Sequence, residues 1–233
     1  MEAVNNVDGI KAISFDGDGT LWDFEKLMRQ SLHHVLSELE NIEPEIASML
    51  SIDRMVEIRN RVATELKGKV TNLEAIRLEA FRSTLKDVNK PNDALAAHLN
   101  DVYLKHRFED VELFDDVLPA LKTLQRRYGI GLLSNGNGYP ERTGLPGVFQ
   151  FVVFSQDYDF EKPDPRIFQV ALEKAGCSKE QLLHVGDSLT SDVEGARNAG
   201  IKCVWLNRSG VANSLGTMAD LEIHSLRELL SIL

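Results

Sequence analysis

The stretch Ile13-Ser14-Phe15-Asp16-Gly17-Asp18-Gly19-Thr20-Leu21-Trp22 ends an apolar run with two carboxylates separated by one glycine. Asp and Gly are common in plain turns, where they supply local hydrogen bonds and positive φ, so the stretch alone does not separate a turn from a site. The segments around it do. Ile10 to Phe15 reads as a buried strand, and the period then changes completely. From about Asp23 to Glu112 the segments FEKLMRQSLHHVLSELE, IDRMVEIRNRVATELKG, NLEAIRLEAFRSTLKDV and NDALAAHLNDVYLKHRF repeat apolar residues at three- and four-residue steps, the mark of amphipathic helices. Pro44 and Pro91 sit near helix starts and Gly68 marks a stop. His33, His34, His98 and His106 are scattered through these helices and read as parts of solvated faces.

After Leu113 helices and short apolar strands alternate. Helix LPALKTLQRRYG precedes strand IGLLS, and strand FVVFS precedes helix DPRIFQVALEKAG. Strand LLHVG leads to helix TSDVEGARNAG, and strand IKCVWL closes the series before a terminal helix, SLRELLSIL. Gly129, Gly176 and Gly200 each fall just past a helical pattern, where a left-handed cap is expected. Such alternation predicts a buried parallel sheet with helical crossovers. The first strand has to join that sheet. The expected fold is therefore α/β, a Rossmann-like doubly wound parallel sheet built from residues 1–21 and 113–233, with an inserted α-helical domain at residues 22–112.

In an open parallel sheet, ligands bind outside the carboxyl ends of the strands. The residues just past each strand are Asp16, Gly17 and Asp18; Ser134, Asn135 and Gly136; Gln156 and Asp157, with Lys162 a little later; and Gly186, Asp187 and Ser188, with Asp192. Acids, a hydroxyl, an amide and a lysine thus converge on one edge from separate segments. Clustered carboxylates repel and call for a cation, and hard oxygen ligands suit Mg²⁺. An ionised Asp can act as a nucleophile, and a second carboxyl two residues on can protonate a leaving oxygen and later activate water. Ser134 and Lys162 offer the hydrogen bond and positive charge that a transferring phosphoryl group requires.

The totals agree with an ordinary globular chain. Of 233 residues, 43% are hydrophobic and 27% charged, enough for a substantial core. The net charge of −10, from 26 basic and 36 acidic side chains, disfavours nucleic acid or an anionic membrane as main partner. Cys177 and Cys203 have no metal or CxxC spacing and read as reduced thiols. The opening MEAVNNVDGIK lacks the pattern of an export leader, and no apolar run suits a membrane span, so a cytoplasmic protein is expected.

In this order, FDGDGTL, LLSNG, the lysine of EKPDPRIF and VGDSLTSDVEGARNAG resemble the four motifs of the haloacid dehalogenase-like (HAD) superfamily, in the branch with a helical cap inserted after the first strand. The resemblance spans nearly the whole chain. It implies a phosphatase acting on a small phosphate monoester, such as a nucleotide or sugar phosphate, as a monomer or homodimer. Asp16 would be the phosphoryl-accepting nucleophile and Asp18 the general acid/base. Ser134 would hold the phosphate, aided by Asn135, while Lys162 balances charge. Mg²⁺ would be held by Asp16, the Asp18 carbonyl and Asp187, with Asp192 orienting water or Lys162, its direct contact with the metal being the alternative, and Thr20 bracing the loop. Halogen-removing members lack the second acid, so Asp18 favours phosphate-ester chemistry. A phosphosugar mutase of the same superfamily is the nearest alternative, and a phosphoaccepting receiver domain a distant one. Gly17 stands where many relatives carry a bulkier apolar residue, an expected loosening of the loop. Trp22 and Phe24 read as hinge packing, with stacking on a base or sugar as the alternative.

Overall fold

The computed structural model describes residues 9–213 and 215–233. The opening MEAVNNVD, which bears on the export-leader reading, lies outside the described residues. From β1 (Ala12–Phe15) the chain runs through α1 (Phe24–Ile42), α2 (Pro44–Ala47), α3 (Ile52–Leu66), α4 (Leu73–Asp87) and α5 (Asp93–Glu109). Helix and strand then alternate: α6 (Val117–Leu124), β2 (Gly129–Ser134), β3 (Phe151–Phe154), α7 (Pro165–Ala175), β4 (Leu182–Gly186), α8 (Gly195–Ala199), β5 (Lys202–Leu206), β6 (Leu221–Ile223) and α9 (Leu226–Ile232). The chain divides into two compact units, an α/β unit of residues 1–23 and 113–233 and a helical unit of residues 24–112.

The six strands form one parallel sheet in the order β3-β2-β1-β4-β5-β6. Every residue of β1 and β4 is buried, as expected for strands covered on both faces. Phe15 lies opposite Leu132 and Val185, so the residues that follow β1, β2 and β4 emerge together at one edge. The order reverses at β1, with β2 and β3 on one side and β4 to β6 on the other. That reversal creates the crevice in which such sheets hold ligands.

In the helical unit the side chains of Ser51, Asn72 and Asn92 accept the main-chain N–H of Arg54, Ala75 and Leu95, satisfying the open first turns of α3, α4 and α5. The apolar stripes meet in a core that includes Val35, Leu39, Phe81, Leu85, Leu99 and Tyr103. Gly68, just past α3, has φ 73°, a conformation that glycine adopts without penalty.

The structure departs from the sequence reading at a few points. Gly129 is no helix cap: α6 stops at Leu124, and Gly129 opens β2 with its N–H on the Lys11 carbonyl. Gly176 and Gly200 do adopt the left-handed cap. β6 is a sixth strand that the sequence did not reveal, because three residues with exposed Glu222 at the centre carry too little pattern. The segment expected as one helix after β4 begins with a π-helical turn over Leu189–Glu194. Trp22 and Asp23 group with the α/β unit, Trp22 pairing with Leu113 and Asp18 in isolated bridges.

Candidate active site

Asp16 is the first residue past β1, and its N–H still donates to the Val185 carbonyl of β4. This last ladder bond fixes where the carboxylate leaves the sheet. The side chain is buried and points at Lys162, whose Nζ lies 2.6 Å from Asp16 Oδ1. Lys162 Nζ also donates to Asp192 Oδ1 at 2.6 Å and to the Leu133 carbonyl at 2.9 Å. An ammonium has three N–H groups, and all three are thereby used. Burial alone would push the Lys162 ammonium down, but Asp16 and Asp192 outweigh it and hold the lysine above its ordinary value.

Asp192 is enclosed by donors. Its Oδ1 also receives His184 Nε2 at 3.0 Å, and its Oδ2 receives the Ser188 N–H at 2.9 Å. Burial opposes its charge, yet Lys162 and His184 hold the carboxyl well below the usual range. The His184 ring touches Ser14 Oγ through Nδ1 at 2.9 Å. A carboxylate only accepts, so the partners assign the ring hydrogen to Nε2 and leave Nδ1 to accept from Ser14. Burial holds His184 below its ordinary value, hence neutral. His184 was not singled out from sequence. The available signal was that two polar residues interrupt apolar strands, Ser14 and His184, and the register places them opposite one another.

Asp187, just past β4, accepts Thr20 Oγ1 at 3.0 Å on its Oδ1, and its main-chain carbonyl accepts the Trp205 indole at 2.8 Å. Burial and the Asp192 charge push its carboxyl up to about 6. Asp16 is raised too, by burial first and by Asp192 and Asp187, against the pull of Lys162. Three carboxylates thus lie with ligand atoms all within 4.8 Å of one another, and Lys162 pairs with two of them, Asp16 and Asp192. The uncompensated negative charge and the all-oxygen donor set fit a hard divalent cation such as Mg²⁺. Of the three, Asp192 has both oxygens committed to protein donors, which leaves Asp16 and Asp187 as the acids suited to an ion.

Asp18 is held by the Trp22 indole, whose Nε1 lies 2.6 Å from Asp18 Oδ1. Trp22 is 1% exposed, so its ring is not a platform for a base or sugar. Gly17 does not loosen the loop as expected. A Cβ there would meet Trp22 Cζ2 at 2.8 Å, so the missing side chain is the space that the indole occupies. Phe24, in the helical unit, lies 5.2 Å and 5.1 Å from the guanidinium groups of Arg59 and Arg107.

Ser134 closes β2 and is buried. Its Oγ accepts the Gly136 N–H at 3.0 Å, an arrangement that turns the hydroxyl hydrogen toward other acceptors. The side chain of Asn135 is hydrogen-bonded to the Lys162 segment and to Ser155. Its Oδ1 accepts Lys162 N–H at 2.9 Å and Ser155 Oγ at 2.6 Å, while its Nδ2 donates to the Lys162 carbonyl at 2.9 Å. The amide therefore anchors the backbone that carries Lys162. Farther along the chain, Gln156 Nε2 donates to Tyr139.

A second group of possible ligands, His34, His106 and Asp110, belongs to the helical unit. The two imidazoles stack 3.6 Å apart with 6° between their planes. A ring nitrogen binds an ion in its own plane, and two parallel planes share no such point. Asp110 pairs with His106 at 2.7 Å, and His98 with Glu38 at 2.6 Å, on partly exposed side chains.

A family profile for haloacid dehalogenase-like hydrolases matches residues 10–200. Among curated relatives, a 5-amino-6-(5-phospho-D-ribitylamino)uracil phosphatase of Escherichia coli is 28% identical over 84% of this chain and 83% of its own. A pyrimidine 5'-nucleotidase of Streptococcus pneumoniae is 27% identical over 96% of this chain and 95% of its own. Among solved structures, a 2-haloacid dehalogenase of Pseudomonas syringae superposes with TM-score 0.81 at 30% identity, covering 96% of this chain and 97% of that one. A HAD-hydrolase of Bacillus subtilis, solved bound to magnesium, superposes with TM-score 0.75 at 26% identity over 96% and 98% of the two chains. Among the described residues no helix is long and apolar enough to cross a membrane. With its strand order, its acid-rich sheet edge and a profile match across most of its length, the chain belongs to the haloacid dehalogenase-like hydrolases.

Proposed function

We propose that this hydrolase is a Mg²⁺-dependent phosphatase that cleaves a small phosphate monoester through a phosphorylated Asp16. The observation that carries the reading is the second carboxyl, Asp18, in the same loop as Asp16 and oriented by the Trp22 indole. Dehalogenation needs no proton donor for a leaving oxygen, whereas ester cleavage does. The uracil-derivative phosphatase and the nucleotidase among the relatives support the same direction, although the family also holds dehalogenases.

Asp16 attacks phosphorus, and the ester oxygen departs with the proton of Asp18. Asp18, now a carboxylate, takes a proton from the water that cleaves the aspartyl-phosphate, and Asp16 is restored. Ser134 donates to a phosphoryl oxygen. Lys162, held by Asp192 and by the Asn135-anchored backbone, keeps its charge beside Asp16 and the phosphoryl group. Asp16, the Asp18 carbonyl and Asp187 would hold Mg²⁺, which supplies positive charge to the phosphoryl oxygens. Asp192 and His184 do not meet the substrate in this scheme; they set the position and charge of Lys162.

The test is release of inorganic phosphate from a panel of nucleotides, sugar phosphates and phosphoglycolate, with Mg²⁺ and again in excess chelator. We expect turnover of at least one ester with the metal and loss of that turnover without it. Halide release from 2-chloropropionate with no phosphate release from any ester would make the chain a dehalogenase instead. Transfer of the phosphoryl group to a second sugar hydroxyl would make it a mutase.

A further inference from the structure

Trp22 belongs to none of the four family motifs, yet the loop is built around it. Its indole is 1% exposed and sits where side chains at positions 17 and 138 would be. A Cβ on Gly17 would come within 2.8 Å of the Trp22 ring, and one on Gly138 closer still. The main chain reinforces the placement, because Gly19 N–H donates to the Trp22 carbonyl at 2.8 Å and Trp22 bridges to Asp18 and Leu113. From that seat Nε1 reaches Asp18 Oδ1 at 2.6 Å, a short charge-assisted distance for N–H···O. The other oxygen, Oδ2, faces Gly136, where a Cβ would approach it to 2.5 Å. Two glycines make room for the indole and a third for the carboxyl that it holds.

We infer that Trp22 is a positioning residue for acid–base catalysis, dividing the two oxygens of Asp18 between a fixed acceptor and a working proton carrier. The inference rests on the phosphatase reading above. An indole N–H donates and cannot accept. Oδ1 therefore serves as the acceptor whether Asp18 is a carboxyl or a carboxylate, and the exchangeable proton is confined to Oδ2. In the first half-reaction a bond forms between an Asp16 oxygen and phosphorus, the ester P–O bond breaks, and the Oδ2 proton passes to the departing oxygen. In the second, a water oxygen bonds to phosphorus, the bond to Asp16 breaks, and the water proton goes to Oδ2. Without the indole Oδ1 loses its fixed donor and the carboxyl can present the wrong oxygen, so proton transfer falls while phosphate binding is kept.

Leaving-group dependence separates this role from a packing role. Nitrophenolate departs with little proton help, whereas an alkoxide depends on it. In Trp22→Phe, first-turnover nitrophenolate release from p-nitrophenyl phosphate should change by less than about threefold. First-turnover release of alcohol from the fastest alkyl ester of the panel should fall about tenfold or more, with KM little changed. Gly138→Ala, which also crowds the indole, should give the same pattern. The contact itself has a readout that needs no activity. The chain has two tryptophans, hence two indole N–H resonances. Trp22→Phe identifies one of them, and Asp18→Ala should move that one upfield. Equal losses on both esters, in a wild-type protein active on both, would overturn the positioning role alone. An unmoved resonance would overturn the contact. Wild-type protein inactive on every ester, with the resonance still responding to Asp18→Ala, would overturn the phosphatase reading and the catalytic role together.

Discussion

The two units of this chain treat charge in opposite ways. In the α/β unit the decisive charges are inside: Lys162 is buried between Asp16 and Asp192, 2.6 Å from an oxygen of each. In the helical unit the ion pairs Lys26–Glu112, Arg29–Asp53 and Arg54–Asp87 ride on the surface, while the interior is mainly aliphatic and aromatic packing, with the buried Arg77 and Arg107 as exceptions. A buried charge is costly unless its partners stay in place, so the first arrangement is rigid and specific. A surface pair gains little, because water and salt screen it and the side chains lose freedom. The closest pairs of the α/β unit are thus held by burial, and the pairs named in the helical unit are left to water.

The sharpest break of this comparison is Asp16→Asn. The amide cannot attack phosphorus, and it removes one negative charge from a cluster that carries an excess. We expect phosphatase activity below about a tenth of wild type, a barrier increase above about 1.4 kcal/mol, with the thermal midpoint unchanged or raised. Activity assays beside thermal melts decide it. Full activity in the variant would remove Asp16 from the chemistry.

Lys162→Met follows, and here stability and activity should fall together. The substitution leaves Asp16 and Asp192 buried without their cation, which costs about 3–5 kcal/mol in comparable buried pairs. Urea melts would show it. A variant as stable as wild type would mean that the network is replaceable and that Lys162 is retained for catalysis alone.

A core truncation in the helical unit gives the contrast. Leu99 is fully buried in the cluster with Val35, Leu39 and Phe81. Leu99→Ala should cost about 2–5 kcal/mol through lost burial and the cavity left behind. Proteolysis or hydrogen exchange should locate the loss in residues 24–112. A change confined to the α/β unit would contradict the reading of that core.

Asp116 lies between these extremes. Burial pushes its carboxyl up, but Arg208, the Ser225 hydroxyl and the Leu226 N–H together outweigh that and hold it below the usual range. Arg208 also donates to the Thr20 carbonyl, so the pair steadies the loop that carries Asp18. Because the folded value is depressed, the stabilisation is fully present above the unfolded carboxylate value of about 3.9 and is lost as pH falls through the lower folded value. Asp116→Asn should cost about 2 kcal/mol at neutral pH. Its stability should also vary less than that of wild type as pH falls below that unfolded value. An unchanged acid profile would show that other carboxyls govern the acid limb.

How much of this was legible in the sequence follows the same divide. Apolar period marked the four long helices and five of the six strands, since burial on one face or both leaves a pattern in composition. The position of strand ends then gathered Asp16, Asp18, Ser134, Lys162, Asp187 and Asp192 at one edge. What stayed hidden has no local signature. His184 is one polar residue in an apolar strand, and its task depends on Asp192, eight positions farther on. Asn135 sits beside Ser134 in sequence but turns to the backbone of Lys162, 27 positions away. Gly17 read as a flexible position, because nothing in a one-dimensional pattern says that the indole of Trp22 folds back over it.

The smallest effect belongs to Arg54. It is a well-connected surface cation of the helical unit, with Nη2 at 2.6 Å and Nε at 3.0 Å from the two oxygens of Asp87, and Nη1 at 3.0 Å from Glu57. The Asp87 hydrogen bonds, then that of Glu57, hold the guanidinium above its ordinary value, and Arg54 in turn lowers Asp87. Those shifts describe pairs facing solvent, where the attraction is screened and holding three long side chains still has an entropic cost. The N-terminal cap of α3 survives truncation, because Ser51 accepts the Arg54 main-chain N–H rather than its side chain. Arg54→Ala should therefore shift the melting midpoint far less than Leu99→Ala, and raising salt should erase what difference there is. Melts of both variants at low and high ionic strength make the comparison. If Arg54→Ala matched Leu99→Ala and ignored salt, the pair would be a structural clasp between α3 and α4, and the division between an inner and an outer use of charge would fail.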